Sequence, residues 1–170
     1  MTDERQGANL PARQGRLLVE WWTATLCTLV LVLMAFVILR EACHPRFAWR
    51  WLCQTTWPAF YVLGRLRSGL QANYHPQTKV WRPQLGLATW ITLLRGILIA
   101  MLAGFILQPW PPSDLPPLWL IWAPGLLYLA AAVLDYGDGL IARIRHHETR
   151  LGERLDLEID ALGLLIASFL

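Results

Sequence analysis

Three apolar stretches long enough for a bilayer run through this chain, separated by polar segments of differing character. Residues 17–39 read LLVEWWTATLCTLVLVLMAFVIL, with Glu20 as the one charge, near an end. At about 1.5 Å of rise per residue, a helix of that length crosses a hydrocarbon core about 30 Å thick. The run is longer than a cleaved leader and lacks a small-residue cleavage site, so a membrane span is expected. Residues 85–107, LGLATWITLLRGILIAMLAGFIL, form the next span, with Arg95 as its internal charge. Residues 118–134 form the third, with Pro124 a candidate kink. Arg95 falls in the half of its span nearer residue 85. At that depth it either faces protein or a wet cavity, or it snorkels to the headgroups.

The intervening segments set the expected organisation. Residues 1–16 carry Asp3, Glu4, Arg5, Arg13 and Arg16 with Gly and Pro, and read as a polar, mobile tail. Residues 40–84 interleave Phe47, Trp49, Trp51, Trp57, Phe60 and Tyr61 with Arg40, Arg46, Arg50, Arg65 and Arg67. That pattern predicts an amphipathic helix lying in the interface, followed by a loop at Asn73, His75, Pro76 and Pro83. A short span over 47–64 is the alternative. Residues 108–117 hold five prolines and no basic residue, and predict a tight outer turn. Residues 135–160 are densely polar, with Arg143, Arg145, Arg150 and Arg154, and read as cytoplasmic. Residues 161–170 turn apolar again.

Composition agrees with a membrane setting. Hydrophobic residues make up 55% of the 170 positions, above the usual soluble range, and ten are tryptophan, a residue favoured where membrane meets water. The net charge of +3 comes from arginines flanking apolar runs, which argues against nucleic acid as a partner. Cys27, Cys43 and Cys53 are odd in number and lack CxxC spacing, so neither a disulfide framework nor a zinc site is implied. His146 and His147 read as a solvated turn beside Glu148.

The chemistry concentrates in DYGDGLIARIRHHETRLGERLDLEID, residues 135–160. Asp135 and Asp138 are spaced i, i+3, and Asp156 and Asp160 i, i+4. Each pair therefore shares a helix face, and Gly152 joins the second stripe. Four carboxylates at a membrane boundary call for cations, and an all-oxygen donor set suits hard ions such as Mg²⁺ or Mn²⁺. Two such ions can bridge a pyrophosphate. Gly139 and Ala142 leave room for a nucleotide near the backbone, and Arg143 offers a planar phosphate donor.

These residues match, at every fixed position and spacing, the pattern D-x2-D-G-x2-A-R-x8-G-x3-D-x3-D, here Asp135, Asp138, Gly139, Ala142, Arg143, Gly152, Asp156 and Asp160. The chain thereby resembles the CDP-alcohol phosphotransferase family, and TWITLLRGILIA (89–100) is similar to the opening of that family's first core helix. The resemblance implies an all-α integral membrane helical bundle, with residues 85–170 supplying part of the core and 17–39 an extra span. It implies that Asp135, Asp138 and Asp156 are the main metal ligands, with Asp160 the general base and a further ligand. Asp138, Gly139, Ala142, Arg143 and Gly152 would serve the nucleotide. Mg²⁺ or Mn²⁺ would be the cofactor, two ions in all. The partners would be CDP-diacylglycerol or another CDP-alcohol, an alcohol acceptor and the bilayer, with a homodimer in keeping with the family. The site would face the cytoplasm from the inner membrane.

Two departures bear on function. The family core has six helices, and this chain holds the first two, the motif and part of a third, so a C-terminally truncated product is expected. A non-catalytic membrane protein retaining the metal and nucleotide motif is the alternative; a cation carrier would need a polar path that the apolar outer halves of the spans lack. Ala161 follows Asp160 where glycerol-phosphate enzymes of the family often have Lys or Arg, which leaves glycerol phosphate, inositol phosphate, serine, choline and ethanolamine all open as acceptors.

Overall fold

A computed structural model describes residues 10–108, 117–145 and 149–169, with side chains described over 15–108, 117–137 and 149–169. The expected outer turn therefore falls largely outside the described residues, as do His146, His147 and Glu148. Among the described residues the fold has five α-helices: α1 (Leu10–Ala42), α2 (Pro45–Gly69), α3 (Leu87–Ala103), α4 (Leu118–Arg145) and α5 (Arg150–Ala167). A 3₁₀ turn, Leu70–Ala72, closes α2, and no strand occurs among the described residues.

Local chemistry explains several boundaries. Helix α1 starts at Leu10, inside the segment expected to be a tail, with Pro11 in its first turn where the missing N–H costs nothing. At the start of α2, His44 caps the helix by accepting from the Arg46 amide, and Pro45 follows directly. Helix α3 stops at Ala103, short of the expected residue 107; Gly104 caps it and Leu107 turns left-handed at φ 55°. A Cβ on Gly104 would lie 2.4 Å from Thr55 Oγ1 and 2.5 Å from the Trp51 ring, so α2 meets the end of α3 where only glycine fits. Pro124 is accommodated inside α4, which runs on from the apolar span through the first half of the motif. Thr149 caps α5, its hydroxyl accepting from the Gly152 amide at 3.1 Å.

Cross-helix contacts fix the directions. The Trp21 indole donates to the Leu63 carbonyl at 2.9 Å, Arg67 stacks over the Trp21 ring, and Phe36 meets Trp49 at the other end, so α1 and α2 are antiparallel. Helix α2 is antiparallel to α3 as well: Val62 lies against Gly96 and Trp51 against Gly104. Helix α5 runs parallel to α3, with Gly152 beside Thr89 and Gly163 beside Ile99. Helix α2 thus lies alongside its neighbours over its length.

The interior where α2, α3 and α5 meet is built from Val62, Leu66, Leu93, Leu151, Leu155 and Ile159. Gly96 sits at the crossing, where a Cβ would come within 2.8 Å of Ile159 and 3.1 Å of Val62. The loop between α2 and α3 is pinned by buried Asn73, whose amide donates to the Arg82 and Gln84 carbonyls, each at 3.0 Å. Glu20 accepts from the Leu85 amide at 2.6 Å, and the Arg150 amide donates to the Tyr74 carbonyl. The starts of α3 and α5 are thereby tied to one end of the bundle.

Helices α1 and α4 are long and apolar enough to cross a membrane, over Gly15–Ala42 and Leu118–Gly137; α3 is a shorter apolar helix. Only 28% and 11% of the most apolar windows of the two long helices are buried, whereas the core helix of a soluble protein would be mostly enclosed. Trp119, Trp122, Leu126, Leu129 and Val133 of α4 all point outward. An all-helical fold presenting so much apolar surface is that of a helical membrane bundle.

Candidate active site

Helix α5 presents two adjacent stripes. Leu151, Leu155 and Ile159, four residues apart, are buried and hold the helix against α2 and α3. One position further round the helix, Gly152, Asp156 and Asp160 form the second stripe. The apolar stripe therefore fixes the rotation at which the carboxylates are delivered. Gly152 packs closely on α3, since a Cβ there would reach to 3.3 Å from Thr89 Oγ1.

Asp135 arrives from α4 and faces the same space. One carboxylate oxygen from each of Asp135, Asp156 and Asp160 lies within 4.8 Å of the other two. Asp135 from the first half of the motif thus lies with Asp156 and Asp160 from the second, a meeting that the spacing within each half leaves open. The backbone of Asp138, Gly139, Ala142 and Arg143 lies in the same helix α4, but their side chains are outside the described residues.

At the hub of the three carboxylates is Arg95. Its side chain is 2% exposed, the carboxylates 58%, 41% and 51%. Nη1 donates to Asp135, while Nη2 lies 2.5 Å from Asp156 Oδ1 and 2.9 Å from Asp160 Oδ1. Of the two readings the sequence left open for Arg95, the structure selects the inward one. The pattern of apolar and polar positions marked this arginine as a charge within a span. It did not mark it as part of the site, because the partners lie 40, 61 and 65 positions away and only packing joins them.

The donor set suits a divalent ion. Three carboxylates against one guanidinium leave two negative charges among the described side chains. All donors are hard oxygens, half open to the outside, which is the ligand chemistry Mg²⁺ and Mn²⁺ prefer. Burial, with the charge of Arg95 opposing and that of Asp156 adding, holds the carboxyl of Asp160 above the ordinary carboxylate range; Asp160 lies outside the two long apolar helices.

Asp135 on α4 and Asp156 with Asp160 on α5 thus converge with Arg95 of α3 at one polar point of a helical membrane bundle. Residues 85–170 match the CDP-alcohol phosphatidyltransferase family, and the chain belongs to it. Its curated relatives include proteins named CDP-diacylglycerol–glycerol-3-phosphate 3-phosphatidyltransferase. That of Yersinia enterocolitica is 34% identical over 87 residues, covering 49% of this chain and 42% of the relative. That of Escherichia coli K12 is 37% identical over 87 residues, covering 51% and 44%. The one of Sodalis glossinidius is 34% identical with 49% and 42% covered. The chain thus spans less than half the length of the curated relatives it matches. No solved structure matches it.

Proposed function

We propose that this chain carries the nucleotide- and metal-binding part of an enzyme that transfers a phosphatidyl group from CDP-diacylglycerol to an alcohol, releasing CMP. The observation that carries the reading is the convergence of Asp135, Asp156 and Asp160 from two helices onto one point. The acceptor is glycerol 3-phosphate, a choice supported by the names of the relatives. Ala161 after Asp160 makes a panel of acceptors the appropriate test of that choice.

Asp135, Asp138, Asp156 and Asp160 would hold Mg²⁺ or Mn²⁺, two ions in all. When bound, the ions supply positive charge to the pyrophosphate and to the charge that builds on the departing phosphate. Asp160, half exposed and at the edge of the cluster, takes the proton of the attacking hydroxyl. The hydroxyl oxygen then bonds to the phosphorus on the diacylglycerol side, the bond from that phosphorus to the CMP oxygen breaks, and CMP leaves with the electron pair. Gly139, Ala142 and Arg143 would serve the nucleotide, and Gly152 keeps α5 close to α3. Positioning and charge account for most of the rate, as in phosphoryl transfer generally.

The protein sits in the inner membrane with the ends of α3 and α5 that adjoin the 73–86 loop at the cytoplasmic face. Helix α2 crosses alongside α1 and α3, a reading supported by its antiparallel contacts with both. The test is release of CMP from CDP-diacylglycerol in the presence of Mn²⁺ or Mg²⁺, with glycerol 3-phosphate, inositol phosphate, serine and choline offered separately. Release with glycerol 3-phosphate alone, abolished by chelation, supports the proposal. Release that is indifferent to chelator rejects the metal role, and release with another alcohol rejects the acceptor.

A further inference from the structure

The guanidinium of Arg95 occupies the position from which all three described carboxylates can be reached at once. We propose that Arg95 is a built-in counter-cation for the acid cluster, a positioning residue that holds the two motif halves together before metal arrives and sets how tightly metal binds. The inference rests on the metal reading above.

Three observations support it. First, the three carboxylate oxygens lie within 4.8 Å of one another, so the cluster repels itself unless a cation stands among them. Second, Arg95 is 2% exposed, and a charge so enclosed is held only where partners surround it. Third, its contacts are divided between helices: Nη1 goes to Asp135 on α4, and Nη2 to Asp156 and Asp160 on α5. A guanidinium fork can bridge two helices in this way, whereas an ammonium would sit as a point charge nearer one of them.

The consequence is an exchange. A divalent ion entering the cluster draws on carboxylate oxygens that already accept from Arg95, and its own charge opposes the guanidinium at short range. Arg95 therefore supports the geometry of the empty cluster and weakens the affinity of the filled one. Such a residue keeps the site assembled yet lets metal and product leave.

The proposal is tested by titrating Mn²⁺ into the purified chain in detergent, following free Mn²⁺ by electron paramagnetic resonance, and by thermal unfolding in chelator and in Mn²⁺. Arg95→Gln is expected to bind Mn²⁺ about tenfold more tightly than the parent. Its unfolding midpoint is expected to fall in chelator and to recover in Mn²⁺. Arg95→Lys keeps the charge and is expected to stay within about threefold of the parent affinity. A packing role alone would lower the Arg95→Gln midpoint equally in both media, and that result overturns the proposal. So does equal or weaker Mn²⁺ binding by Arg95→Gln, or a tenfold change for Arg95→Lys if the glutamine variant does not fold. If the parent itself binds no Mn²⁺, the metal reading falls as well, which separates the two failures.

Discussion

Asp160 and Asp156 are both aspartates of one helix face, yet different tasks are assigned to them. Asp156 lies closer to Arg95 and is less exposed, while Asp160 stands further out, where a substrate hydroxyl can approach. Asp160→Asn keeps the shape and removes the base. CMP release is expected to drop about 10²–10⁴-fold with little change in the KM for CDP-diacylglycerol, measured by steady-state kinetics. An unaltered rate would show that the proton goes elsewhere. Asn73 shows a residue whose weight is structural. Fully enclosed, it supplies both donors of its amide to the loop that leads into α3. Asn73→Ala leaves two carbonyls without those donors and is expected to cost about 1–3 kcal/mol, read as a lower unfolding midpoint.

At the scale of the element, the site depends on how closely three helices can approach. Gly96 lies where α2 and α5 both press on α3, and the neighbours its Cβ would meet are the side chains of Ile159 and Val62. Gly96→Val adds bulk at that crossing and is expected to destabilise by about 1–3 kcal/mol, seen in thermal unfolding. Because Ile159 directly precedes Asp160, the same change is expected to shift the base and lower kcat as well as stability. Helix α5 is the clearest case of legible sequence in its acidic stripe, which follows from residue spacing, while the Thr149 cap and the apolar stripe beside it come from the structure. Helix α2 is the opposite case. Its mixed aromatic and arginine pattern predicts an interfacial helix yet leaves a short span as the alternative, because both bury one face and leave rings and guanidinium groups at the border.

For the whole molecule, the antiparallel arrangement of α1, α2 and α3 carries a topological consequence. Gln71 lies just past α2 beside the start of α1, while Glu41 lies near the other end of α1. With Cys27, Cys43 and Cys53 changed to alanine, single cysteines at Gln71 and Glu41 are expected to react with a membrane-impermeant maleimide from opposite faces of sealed vesicles. Reaction from one face would place α2 along the interface. The same bundle brings residues 95, 135, 156 and 160 to one point, which ties the site to the integrity of the helix packing.

What the sequence determined by itself is the periodic part: the helical, apolar character of the chain, the pairing of acids on single helix faces, and the family, all of which depend on spacings within a few turns. What only the tertiary structure decided is which faces meet. The inward position of Arg95, the Glu20 contact with the Leu85 amide and the course of α2 join residues 40 or more positions apart. Such contacts arise because burying the stripes of α2, α3 and α5 against one another leaves a single rotation for each helix, and no short-range pattern contains that choice.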